Sequence, residues 1–183
     1  MSGQMSDVVV VEGEEFALIE PPSGTLIDLR SYGLKPVSMH SANTRGELVR
    51  FRILDNTLLV SDLQVGSLEA PPALGGVEAT TDEYGQVWTY LGLDLPVDFT
   101  GDLVIGADPL LDVYVHVGFL PAWHYERVLA FAIESGNVTA SEDRSEQVAA
   151  YRSERSDDED EGVFERFLDS IKLRIGFDDG KHG

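Results

Sequence analysis

The chain has 183 residues, 43% of them apolar, with no cysteine and a formal net charge of −20. That length and apolar fraction suit one domain with a real core, or one domain with an appendage. Without cysteine, disulfides, thiolate metal sites and a cysteine nucleophile are excluded, and the acidity disfavours nucleic-acid phosphates and anionic lipid as partners.

The N-terminal stretch "MSGQMSDVVVVEGEEF" lacks the basic start and long apolar run of a secretory signal, so a cytoplasmic protein is expected. Short strands are predicted at Val8 to Val11, Phe16 to Ile19 and Leu26 to Leu29. The clearest element is "ELVRFRILDNTLLVSDLQV", residues 47 to 65, which alternates on both sides of Asp55-Asn56. A two-residue turn there pairs Ile53 with Leu58, Phe51 with Val60 and Val49 with Asp62, and makes one face almost wholly apolar. The segment "EAPPALGG", Glu69 to Gly76, is a loop because its prolines and glycines cannot sustain a ladder.

Further strands are predicted at Val87 to Leu91, Asp98 to Ile105, Leu110 to Val117 and Glu126 to Ser135, with a turn at Gly136-Asn137 and a strand resuming at Val138. Many short strands separated by turns argue for a mainly β, mostly antiparallel domain, a sandwich or a curved sheet, over residues 1 to 140. Residues 141 to 162 read as a polar helix and an acidic linker, the run "DDEDEG" at 157 to 162 being a solvated like-charge stretch. In residues 163 to 183, Phe164, Phe167, Leu168, Ile171 and Ile175 fall at helical spacing and Gly176 is a natural stop. This C-terminal helical appendage docks its apolar face on the domain or uses Phe164, Phe167, Leu168 and Ile171 to bind a partner, a second copy included, which would make a homodimer. No apolar run approaches the roughly 18 to 20 residues of a membrane span.

Chemistry-bearing residues gather in "YVHVGFLPAWHYERVLAF", residues 114 to 131, which holds His116, Trp123, His124, Tyr125, Glu126 and Arg127. A metal site from His116, His124 and Glu126 would need convergence at about 2 Å, and no helical i, i+4 pair supplies it. No metal and no cofactor is therefore expected. The plainer reading packs Tyr114, Trp123 and Tyr125 across neighbouring strands and leaves Glu126 and Arg127 as edge charges. The chain has no G-x-S-x-G elbow and no phosphate-binding glycine loop, and the serines around His40 lack a third partner, so no catalytic residue is assigned.

The order "TRGELVRFRILDNTLLVSDLQV", "DFTGDLVI", "YVHVGF" and "HYERVLAFAIESGNVT" is similar to an uncharacterised bacterial β-rich family, over about residues 44 to 139. The resemblance implies Arg45, Gly46, Phe99, Gly101, His116, Gly118, Tyr125, Glu126 and Arg127 as family positions, with a β-rich fold, a cytoplasmic setting and no established activity. Thr44 stands where that family carries an aromatic, and Asp55-Asn56 where it turns the hairpin with Asp-Gly.

Two functional classes follow. The acidity is not confined to one tail: residues 1 to 140 alone carry 20 Asp and Glu against 6 Lys and Arg. A non-catalytic domain engaging a basic protein partner, an immunity-type inhibitor or accessory factor, accounts for it. Adaptation to high salt would also produce such a charge, and the chain has only 3 lysines beside 10 arginines. The alternative is an enzyme or small-ligand protein using His116, His124, Tyr125, Glu126 and Arg127.

Overall fold

Among the described residues the chain forms nine strands, most of them alternating apolar and polar residues: Val8–Val11 (β1), Glu14–Glu20 (β2), Glu47–Leu54 (β3), Thr57–Gly66 (β4), Thr80–Thr81 (β5), Val87–Pro96 (β6), Gly101–Pro109 (β7), Tyr125–Glu134 (β8) and Asn137–Asp143 (β9). Two helices follow, Ser145–Glu154 (α1) and Glu161–Ile171 (α2). The computed structural model describes residues 3–110, 119–155 and 161–173, without the side chains of Glu161 and Phe164. Of the strand expected at Leu110 to Val117 all but Leu110 lies outside the described residues, as do the acidic residues 157 to 160, while Glu161 and Gly162, expected in the linker, open α2 instead.

The protein is mainly β with a C-terminal helical appendage. Of the two arrangements predicted, the curved sheet forms. A single nine-stranded sheet runs in the order β3-β1-β2-β7-β8-β9-β4-β6-β5, and β3 also pairs with β4, so the sheet closes on itself. Closure leaves the ten-residue β6 and the two-residue β5 as an extension on β4, with Tyr90 and Leu93 of β6 buried in the same core. Among the described residues, all strand pairings are antiparallel except β1 on β3, where Val9 lies beside Phe51 and Val11 beside Ile53.

The β3–β4 hairpin has its predicted turn, with Asp55 at φ 48° and Asn56 at φ 59°. This is the left-handed geometry of a tight hairpin turn, for which Asn and Asp are well suited. Ile53 faces Leu58 and Phe51 faces Val60. Val49, however, faces Leu63 rather than Asp62, because the register shifts at Ser61, whose Oγ donates to the Arg50 carbonyl at 3.0 Å. Without that bulge Asp62 would point into the core; with it Leu63 and Val65 do.

Inside the closed sheet lie Val9, Phe16, Leu18, Phe51, Val60, Leu103, Ile105 and Phe131. One end is plugged by the long β2–β3 connection, which inserts Leu26, Leu29 and Leu34. The strand predicted at Leu26 to Leu29 therefore does not form. Those leucines serve as a stopper, and a 3-10 turn over Leu29–Tyr32 follows, capped by the Asp28 carboxylate.

A second apolar layer covers the outer face of β7 and β8. Val104, Val128 and Ala130, on the opposite side of their strands from Ile105 and Phe131, meet Val148 of α1 and Phe167 and Ile171 of α2. The strand β9 continues to Asp143, three residues past the predicted domain limit, and leads into α1. The helices are thus a layer of the same structure.

Candidate functional site

Of the cluster singled out in the sequence, His124, Tyr125, Glu126 and Arg127 are described, and these four do not converge. His116 lies outside the described residues. A 3-10 turn at Ala122–His124 delivers Ala122 and Tyr125 into the outer apolar layer and buries His124, 2% exposed, with its ring 6.1 Å from that of Trp123. The Tyr125 ring packs against Gly106, where a Cβ would stand 2.6 Å from its Cγ. Burial pushes the Tyr125 hydroxyl up to about 12. Arg152 of α1 donates to the Trp123 and Tyr125 carbonyls, each at 2.7 Å, and so ties the helix to this turn. Glu126 points to solvent. Arg127 projects elsewhere, binding Asp108 at 2.5 Å and Glu14 at 2.6 Å while its guanidinium sits 5.3 Å from the Phe16 ring. Among the described residues, no three His, Asp or Glu side chains are disposed to hold a metal ion.

The predicted helix face is covered by the chain itself. Phe167 stacks on Tyr151 with ring centroids 3.7 Å apart, Ile171 is fully buried and Leu168 is half-buried against the same layer. Burial of side chains like these is worth roughly 1.5–3 kcal/mol each, enough to hold so short a helix in place. Phe164 has no described side chain.

Polar groups instead gather at the two ends of the closed sheet. At the plugged end Asp7 is 1% exposed and fully engaged. Its carboxylate accepts from the Val49 amide at 2.9 Å and the Gly24 amide at 3.0 Å, and from Arg45 through both guanidinium nitrogens at 3.2 and 3.3 Å. Glu47 lies 3.8 Å from the same guanidinium, but burial outweighs that attraction and raises its carboxyl above the usual range. Gly46 is held against Val37, and a Cβ there would stand 2.3 Å from the Val37 carbonyl oxygen. Beside this node lies a cavity of about 440 Å³ whose walls include Asp28, Arg30, Arg45 and Glu47, carrying both signs of charge.

The opposite end keeps an opening of the same size, about 440 Å³, with a different character. Its floor is apolar, formed by Val11, Ile53, Leu129, Phe131 and Val138. Four carboxylates, Glu12, Asp55, Glu142 and Asp143, stand around it, and no Lys, Arg or His is among its lining residues. Chain geometry places them there: parallel pairing of β1 with β3 sets the Glu12-Gly13 turn beside the Asp55-Asn56 turn, while β9 runs past both. Hydrogen bonds from Ser145 hold the Asp143 carboxyl below its usual range, so it stays ionised. Glu142 pairs with Arg144 at 2.9 Å but keeps more than half its side chain in solvent. Among the described residues, no ion pair involves Glu12 or Asp55.

Neither end was singled out in the sequence as a site. Asp7 and Arg45 are 38 positions apart, and no local pattern links them. Arg45 and Gly46 were marked only by the family resemblance, and in the structure both are architectural, as is Gly101 packed on the Phe99 ring. The mouth did leave a trace, since "VVVVEGEEF" contains Glu-Gly between two apolar runs, a tight-turn signal that brings Glu12 to a strand end. Comparison with known proteins returns no matching family model, no matching curated protein and no matching solved structure. Among the described residues, no helix is long and apolar enough to cross a membrane.

Proposed function

We propose that this chain is a non-catalytic binding domain for a basic protein partner in the cytoplasm, and that the acidic mouth is its contact surface. The observation that carries the reading is the pairing of an apolar floor with four rim carboxylates and no lining cation. Such a site suits Lys and Arg side chains, whose methylene stems cover apolar surface while the charged head meets the rim. Small inorganic cations gain nothing from the apolar floor. Inhibition of a basic enzyme, as in an immunity-type pair, or service as an accessory factor are the two roles that such a contact fits.

The test must separate the mouth from the diffuse attraction of a −20 chain. Two triple variants of equal charge serve: Glu12→Gln, Asp55→Asn and Glu142→Gln at the mouth, against Glu69→Gln, Asp82→Asn and Glu83→Gln on a remote exposed loop region. Calorimetric titration with an Arg- and Lys-rich peptide should show binding that weakens with salt, falls about tenfold or more in the mouth variant and changes little in the other. Equal weakening in both variants would leave only non-specific charge attraction and overturn the assignment.

A further inference from the structure

The strand β9 is paired on one side only for most of its length. Beside β8 its ladder runs from Glu134–Asn137 to Leu129–Asp143, broken by a bulge at Thr139, where the register shifts between Ala132 and Ile133. On its other edge the contact with the β3–β4 hairpin is limited to Thr57 opposite Asn137 and to the Val138 amide donating to the Asn56 carbonyl at 2.8 Å. Beyond that point β9 overshoots the hairpin tip, and Thr139 to Asp143 meet no strand on that edge among the described residues, all five being exposed. The mouth cavity lies along this open edge, with Val138, Ser141 and Asp143 on one wall and Glu12 and Asp55 on the other.

We infer that the basic partner enters as an extended segment that adds a strand to the open edge of β9, lying across the mouth. This rests on the reading of the mouth as the partner-binding surface and specifies the partner's conformation. A strand laid about 4.8 Å from β9 occupies the position where the closed sheet has a gap, so its backbone can complete the unpaired hydrogen-bonding groups of alternate β9 residues. Side chains alternate along such a strand, so apolar residues on one face reach the floor of Ile53, Leu129 and Phe131. Lys or Arg residues between them, and at the ends, meet Glu12, Asp55, Glu142 and Asp143.

The charge also accounts for what the edge rejects. An open strand edge invites pairing with a second copy of the same chain. Two copies meeting through β9 would each bring Glu142 and Asp143 to the same seam, a like-charge contact, whereas a basic segment meets complementary charge.

The experiment uses the full chain and two peptides of identical composition, each short and alternating Arg or Lys with Val or Ile, one of them N-methylated on alternate residues. N-methylation removes the backbone donors of one strand edge and keeps every charge and side chain. Strand addition predicts that the N-methylated peptide binds about tenfold or more weakly, and that the parent peptide slows hydrogen exchange at those amides of Thr139 to Asp143 that face the open edge rather than β8. If both peptides bind equally and both lose affinity in the mouth variant, strand addition is wrong while the mouth remains the contact. If neither binds at low salt, the mouth reading fails and strand addition falls with it. A chain that is already dimeric in solution, with those amides protected before any peptide is added, would assign the edge to a second copy and overturn the proposal.

Discussion

Carboxylates stand at both ends of the closed sheet under opposite conditions. At the plugged end Asp7 is buried and every oxygen has a donor, with Arg45, two backbone amides and the leucine stopper around it. At the mouth Glu12, Asp55, Glu142 and Asp143 face solvent over an apolar floor. The same parallel pair of strands creates both: β1 and β3 begin at the Asp7–Arg45 node and end at the Glu12 and Asp55 turns. The contrast shows why net charge alone says little about function. A buried carboxylate is a structural part whose loss leaves unmatched donors, while an exposed one costs the fold little and is available to a partner.

The largest effect that would test this contrast is at Asp7. Replacing it by Asn removes the buried half of the ion pair, leaves the part-buried Arg45 with only Glu47 at 3.8 Å, and turns an amide NH2 toward backbone donors, so urea unfolding should show a loss of about 3–5 kcal/mol. The mouth substitution Glu142→Gln should stay within about 0.5 kcal/mol of the parent. Comparable losses at both would show that the mouth is also structural.

Next in size is a pair of glycines. Gly46 has φ 79° and Gly13 has φ 83°, but a Cβ at Gly46 meets the Val37 backbone at 2.3 Å whereas at Gly13 it meets nothing within 4 Å. Gly13→Ala should cost only the left-handed penalty of about 1–2 kcal/mol. Gly46→Ala adds the displacement of the β2–β3 connection and should cost roughly 2–4 kcal/mol. Equal costs, measured by denaturant midpoints, would mean that this connection yields readily and that the plugged end is less rigid than its packing implies.

A smaller effect is expected at Glu47. Its carboxyl is raised above 4.5 chiefly by burial, so the folded state takes up this proton more readily than the unfolded chain. Its contribution therefore favours folding at low pH and is lost as the pH rises through the raised value. Glu47→Gln should accordingly be more stable than the parent at pH 7, with the difference shrinking as the pH is lowered through that value; thermal midpoints across the range would check it.

The smallest change separates stability from binding at the mouth. Glu12 sits at φ 51°, a left-handed conformation that Asn adopts more readily. Glu12→Asn should raise stability by about 0.5 kcal/mol while weakening the basic peptide. A variant that gains stability and keeps full affinity would remove Glu12 from the contact.

Periodicity made part of this structure legible in the sequence. The hairpin turn and the pairs Ile53–Leu58 and Phe51–Val60 follow from alternation around Asp55-Asn56, and the buried Phe167 and Ile171 follow from helical spacing. Even the bulge had a trace: the apolar positions Leu58, Val60, Leu63 and Val65 step by two, then three, then two, and the step of three is where Ser61 is extruded. Closure was not legible, because nothing local in Val8–Val11 states that it lies beside β3 and runs parallel to it. Leu26 to Leu29 misled for a related reason, since apolar residues in a stopper and in a strand look alike over so short a run. The ligand-like cluster at His124 to Arg127 came apart because a turn and a strand send its side chains to different places: Tyr125 enters the outer layer, Glu126 faces solvent, and Arg127 reaches the Glu14 and Asp108 carboxylates.

The order in which this chain acquires its shape follows from the same closure. Hairpins β1–β2, β3–β4 and β8–β9 join neighbours in sequence through tight turns and can form within microseconds. Joining β1 to β3 and β2 to β7 requires segments far apart in the chain to meet, so the ring is sealed late and slowly, as non-local β topologies are. Until then the apolar inner faces of the hairpins and several strand edges are open together. During that interval the like charge spread along the chain keeps one nascent molecule from pairing with the next, so the acidity protects the protein before it has any site to offer.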